Sequence, residues 1–151
     1  MATILALLKN EVLMVSVMAW VTAQVLKFFF TWMTTKKCKL ERLTGAGGMP
    51  SGHSATVSSL LISMARVEGL SSPGFAISVI LAMIVMYDAM GVRYAAGQQA
   101  KVINKLVDNV EKETKTEVAD ELKEVLGHTP LEVAAGAMLG ILISIVYPIL
   151  A

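Results

Sequence analysis

The sequence predicts an all-α, integral membrane helical bundle of about four spans, with one amphipathic helical hairpin on its cytosolic side. Three observations predict it. The chain of 151 residues is 55% hydrophobic, with a mean hydropathy of +0.64, against about 45–50% apolar residues in a soluble domain. Its charged residues, 17% of the total, are clustered rather than scattered. Finally, apolar runs recur four times, two of them close to the roughly 20 residues needed to cross a hydrocarbon core.

Residues 12–32 form the first span, with Lys27 near its far end. Residues 2–8 before it are apolar but short, and suit an interfacial lead-in. A second run covers residues 54–65 and ends at Arg66 and the loop 69–74. It is short and Ser-rich, so it reads as a helix buried among neighbours rather than facing lipid. The third run, 75–87, continues through Asp88 to Met90, and the fourth, 131–150, contains Gly136 and Gly140, a small-xxx-small pair suited to close helix contact. Between the last two runs, residues 94–127 form a polar insertion. Val102, Ile103, Leu106, Val107 and Val110 recur at helical spacing, and Val118, Leu122, Val125 and Leu126 suggest a second short amphipathic helix. The length suits a single domain, 1–151, and no repeat is visible.

If all four runs span, residues 27–53 and 88–130 share one side. Eleven of the 13 Lys and Arg residues lie there, leaving Lys9 and Arg66 for the other. The positive-inside rule places that side in the cytoplasm. The single Cys38 has no partner for an internal disulfide. Lys9, Asn10 and Glu11 interrupt the first apolar residues, which argues against a secretory signal peptide. A net charge of +1 and the lack of basic segments interleaved with aromatics argue against nucleic acid as a partner.

The polar residues that this topology gathers on one face are Lys27, Ser51, Gly52 and His53, Asp88 and Arg93, and His128 and Glu132. The two histidines are separated by 74 intervening residues, yet both open an apolar run on the same side. Ionisable groups at membrane depth are expensive, so their convergence points to a site. The residue types suit phosphoryl transfer: cations and backbone donors for phosphate, a nucleophile, an acid for the leaving oxygen, and a carboxylate to orient an imidazole. Two histidines with dispersed carboxylates do not form a metal cluster, and neither metal nor cofactor is expected.

On these residues the chain resembles a known family. The stretch Gly47-Gly48-Met49-Pro50-Ser51-Gly52-His53-Ser54-Ala55 is similar to the Pro-Ser-Gly-His motif of the type 2 phosphatidic acid phosphatase superfamily, which includes vanadium haloperoxidases. Residues 87–93 and 126–133 resemble its divergent branch. The resemblance implies that His128 attacks phosphorus to give a phosphohistidine and that Glu132 orients it. It further implies that His53 protonates the leaving oxygen, and that Arg93, the Ser51 hydroxyl and the Gly52 amide hold phosphate. Lys27 stands for the lysine of the first motif, with Lys36 and Arg42 as competing cations and Asp88 as a further candidate.

The chain departs from the superfamily pattern in four ways. Lys-x6-Arg-Pro is absent, Val92 precedes Arg93 where a serine is usual, glutamate replaces aspartate at 132, and 34 residues separate Arg93 from His128 where about five are usual.

The implied activity is metal-independent hydrolysis of a membrane lipid phosphate: phosphatidylglycerol phosphate, phosphatidate or an isoprenyl diphosphate. The alternative is a catalytically degenerate relative that binds anionic lipid or a partner protein through the same basic face. A channel or transporter has only the spans in its favour, since no charged residue lies at mid-span. The oligomeric state is open, a homo-oligomer included. Each residue also has a structural reading. Thr129, Pro130 and Glu132 fit a capping box, Ser51 fits a helix N-cap, Asp88 fits an ion pair with Arg93, and the ten methionines fit packing.

Overall fold

The computed structural model describes residues 2–36, 48–115, 122 and 127–149. Six helices occur among them, and no strand: α1 (Ala2–Leu8), α2 (Glu11–Thr35), α3 (Gly52–Glu68), α4 (Pro73–Met90), α5 (Val92–Thr114) and α6 (Pro130–Val146). The stretches long and apolar enough to cross a membrane are Glu11–Met33 and Pro73–Thr114, the second running through α4 into α5. Helix α6 is apolar but has 17 residues.

Helix α2 starts because the Asn10 side chain accepts the Leu13 N–H at 3.0 Å, satisfying a donor that the helix itself cannot. At about 1.5 Å per residue its 25 residues exceed the hydrocarbon thickness. Three hydroxyl side chains within it return hydrogen bonds to their own helix. Ser16, Thr22 and Thr31 each donate to the carbonyl four residues back at 2.8 Å, so these three hydroxyls are satisfied without water. Val15, Ser16, Ala19, Ala23 and Lys27 are buried on one face, while Val17, Val25 and Phe29 are exposed.

Helix α3 is the central element, packed against α2, α4 and α6. Its buried face is made of small residues, Ser54, Ala55, Ser58, Ser59 and Ser63, so neighbouring backbones approach closely. Gly136 and Gly140 of α6 lie directly against the backbone carbonyls of Ser51 and Ala55, where any Cβ would collide. One turn deeper, the Ser144 hydroxyl lies 2.8 Å from Ser59 Oγ, 3.1 Å from the Ser59 carbonyl and 2.9 Å from the Gly140 carbonyl. Helix association without a hydrophobic driving force relies on such close contact and interhelical hydrogen bonds. At the end remote from the histidines, the Arg66 guanidinium donates to the carbonyls of Ser144 and Tyr147, placing a cation on the negative end of α6.

The fourth apolar run is shorter as a helix than its hydropathy suggests. It was expected over 131–150, but α6 ends at Val146. Pro148 disfavours helical geometry at the residue before it, and Tyr147 is extended, at φ −68° and ψ 128°. The second arm expected for the polar hairpin lies outside the described residues apart from Leu122. The Asn104 side chain holds that one residue through two hydrogen bonds, accepting its N–H at 3.0 Å and donating to its carbonyl at 2.9 Å.

Candidate functional site

The site lies where α3 and α6 begin and α4 ends. Ser51 caps α3, its hydroxyl accepting the Ser54 N–H at 3.4 Å, and its own N–H donates to the Glu132 carbonyl at 3.0 Å. The starts of α3 and α6 are thereby tied together. Helix α4 breaks at Gly91, whose φ of −98° and ψ of −90° depart from helical values. The break leaves the Ala89 carbonyl to accept the His128 N–H at 3.0 Å. Gly127 completes the junction. Its α-carbon rests on the backbone of Arg93 and Tyr94, with no room for a Cβ.

These contacts bring the His53 and His128 rings to a centroid separation of 6.4 Å. Both line a cavity of about 170 Å³ with Ile84, Val85, Asp88, Ala89 and Arg93. At about 30 Å³ per water, this is room for five or six water-sized groups, enough for a phosphate. The Arg93 Nε–H donates to Asp88 Oδ2 at 2.6 Å in a half-exposed ion pair. His128 is 3% exposed, and its Nδ1 lies 3.1 Å from Glu132 Oε2. A carboxylate only accepts, so Nδ1 carries the proton and Nε2 keeps its lone pair.

Glu132 Oε2 also accepts the Thr129 N–H at 3.0 Å, closing the capping box with the Thr129 hydroxyl. One oxygen therefore both caps α6 and orients His128. Burial lowers the His128 pKa below the ordinary histidine value of 6.5; the Glu132 carboxylate opposes this, and the Lys27 and Arg93 charges reinforce it.

Lys27 is 3% exposed, and its charge acts on both histidines. The loop before α3 is laid across it. Gly48, at φ 87°, faces the Lys27 Cγ, a conformation that glycine adopts without cost. The other sequence candidates are placed differently. Ser51 is fully buried and Gly52 faces Trp20 and Gln24 of α2; neither they nor Lys27 are among the residues that line the cavity. In the structure the Ser51 hydroxyl serves as the α3 cap, and Gly52 serves helix contact. Lys36 is exposed at the left-handed end of α2, nine residues beyond Lys27. Arg42 lies outside the described residues.

Two residues near the site carry signals that motif reading passed over. Gln24, one turn before Lys27, has its side-chain oxygen buried without a hydrogen-bond partner, and its signal was polarity deep in an apolar run. Gly127, next to His128, had no signal beyond being glycine. Among the described residues, no group of three or more His, Cys, Asp or Glu side chains is arranged to hold a metal ion.

Comparison with known proteins agrees with this architecture. A family model described as the divergent PAP2 family matches residues 8–143. The chain is 43% identical over 150 residues to the uncharacterized membrane protein YuiD of Bacillus subtilis (strain 168), covering 93% of this chain and 95% of that one. No solved structure matches significantly. With most of its length matched and its helices apolar, the chain is a membrane protein that belongs to the divergent PAP2 family.

Proposed function

We propose that the protein is a metal-independent phosphatase of a membrane lipid phosphate, working through a phosphohistidine. The observation that carries this reading is the pair of histidine rings 6.4 Å apart over one cavity lined by Arg93. A phosphate held in that cavity lies within reach of both imidazoles, one to attack phosphorus and the other to meet the departing oxygen. His128 Nε2 attacks phosphorus, and the phosphorus–oxygen bond to the lipid breaks. His53 gives its proton to the departing oxygen, then takes one from the water that cleaves the phosphorus–nitrogen bond. Arg93 and Lys27 balance the phosphate charge, and Glu132 stabilises the His128 imidazolium as it forms. Phosphatidylglycerol phosphate, phosphatidate and isoprenyl diphosphates are the candidate substrates, with the lipid chain remaining in the bilayer.

The test is phosphate release from a panel of these lipids in detergent, wild type against His128→Ala and His53→Ala. No release from any of them, or release unchanged in both variants, would sink the enzymatic reading. It would favour a degenerate relative that binds anionic lipid or a partner protein, consistent with the missing Lys-x6-Arg-Pro motif.

The pH dependence has a definite sign. Protonation removes the His128 lone pair, and burial lowers its pKa below 6.5. The rate is therefore expected to fall on the acid side, as pH drops through a value below 6.5 and His128 takes a proton. Stability falls in the same direction, because the unfolded chain takes the proton first. An acid limb of kcat/KM centred at 6.5 or higher would contradict the assignment of His128.

The reading also includes about four spans and a cytoplasmic site, from the Lys and Arg bias. An impermeant thiol reagent added outside intact cells is expected to leave Cys38 unlabelled until the membrane is opened. Labelling from outside would reverse the orientation.

A further inference from the structure

Helix α5 has three distinct faces. Gly97, Ala100 and Asn104 are buried against the protein. Lys101, Lys105 and Lys112 are exposed and share a narrow polar sector about a quarter-turn around the helix from that buried face. The third face carries Val102, Ile103, Leu106 and Val110, which fall within a stripe of about 100° at 3.6 residues per turn. Those four are 58%, 44%, 60% and 45% exposed.

We propose that α5 is an interfacial helix, its Val102–Ile103–Leu106–Val110 stripe seated in the headgroup–acyl boundary of the bilayer. What covers the stripe follows from where α5 begins. It starts one residue after α4, whose Ile77, Ile80 and Ile84 are exposed toward lipid. Tyr87 and Tyr94, 75% and 42% exposed, flank the break at Gly91, and amphipathic aromatic rings mark headgroup depth. A helix leaving the membrane at that depth with an apolar stripe on one side and lysines away from it has the composition of one lying in the interface. A second copy of the chain is the poorer occupant. Four half-exposed aliphatic side chains fall well short of the roughly 800 Å² per partner of a stable interface. The seating bears on the site, because Arg93 lies in the first turn of α5 and Gly127 rests on it. It requires the membrane and is independent of whether the chain releases phosphate.

The test is spin-label accessibility in liposomes of phosphatidylcholine and phosphatidylglycerol, using single cysteines in a Cys38→Ser chain. Ile103→Cys, Leu106→Cys and Val110→Cys are compared with Lys101→Cys, Lys105→Cys and Lys112→Cys. The expected result is an oxygen-to-nickel-chelate collision ratio severalfold higher in the first set. Equal access of the nickel chelate to all six positions would overturn the proposal. So would a first set shielded from both reagents, with dipolar broadening that disappears on dilution with unlabelled chain, which would identify a second copy as the occupant.

Discussion

His128→Ala is expected to lower phosphate release by on the order of 10⁴-fold or more, since removing a nucleophile leaves only binding and electrostatic stabilisation. His53→Ala is expected to cost about 10²- to 10⁴-fold, the range for a positioned general acid. Glu132→Gln separates the two roles of that side chain. Glutamine still closes a capping box, so the thermal midpoint should hold. The charge that balances the His128 imidazolium is lost, however. One charge-assisted hydrogen bond is worth about 1.5–3 kcal/mol, so kcat should fall roughly 10- to 100-fold with KM little changed. A Glu132→Gln variant with full kcat would show that Glu132 is a cap alone. Equal, small losses in all three variants would remove the phosphohistidine from the reading.

The glycine contacts carry the largest expected effects on stability. Gly136→Ala and Gly140→Ala place a methyl group on the backbone carbonyls of Ser51 and Ala55. Neither α3 nor α6 can yield without displacing the Ser144–Ser59 hydrogen bonds or the Ser51 N–H to Glu132 link. Overpacking of this kind costs about 1–3 kcal/mol, or a thermal midpoint lower by roughly 2–12 °C. Gly127→Ala should behave differently. Its methyl group meets the Arg93–Tyr94 backbone, so it shifts His128 relative to Arg93, and activity should fall further than stability. The outcome that would refute this geometry is an unchanged midpoint in both α6 variants, measured by thermal unfolding in detergent.

Much of the architecture was legible because hydropathy and helix punctuation are local properties. Thr129 caps α6 as its capping-box pattern indicates, and the apolar runs mark where the helices go. The meeting of His53 and His128 follows from counting runs, since each opens one on the same side. Motif spacing does not indicate which of the neighbouring polar atoms are already engaged. Ser51, read from the sequence both as a phosphate donor and as an N-cap, has its hydroxyl engaged as the α3 cap, because the first turn of a helix needs an acceptor. In the sequence Lys27 is the preferred cation, with Lys36 and Arg42 as competitors. The structure distinguishes Lys27 because Gly48 folds the loop across its stem while Lys36 points outward.

By itself, then, the sequence determined an all-helical membrane chain, its apolar helices to within a residue or two at their starts, and the two histidines and one arginine that end near one another. These follow from composition, periodicity and caps, each a matter of a few neighbouring residues. Tertiary structure alone decided the break at Gly91 that gives the Ala89 carbonyl to His128, the seat of Gly127 on Arg93, and the double use of the Glu132 carboxylate. Each depends on two backbones approaching from distant parts of the chain. Whether a carbonyl is free or a Cβ has room is a property of the packed pair, which neither segment carries alone.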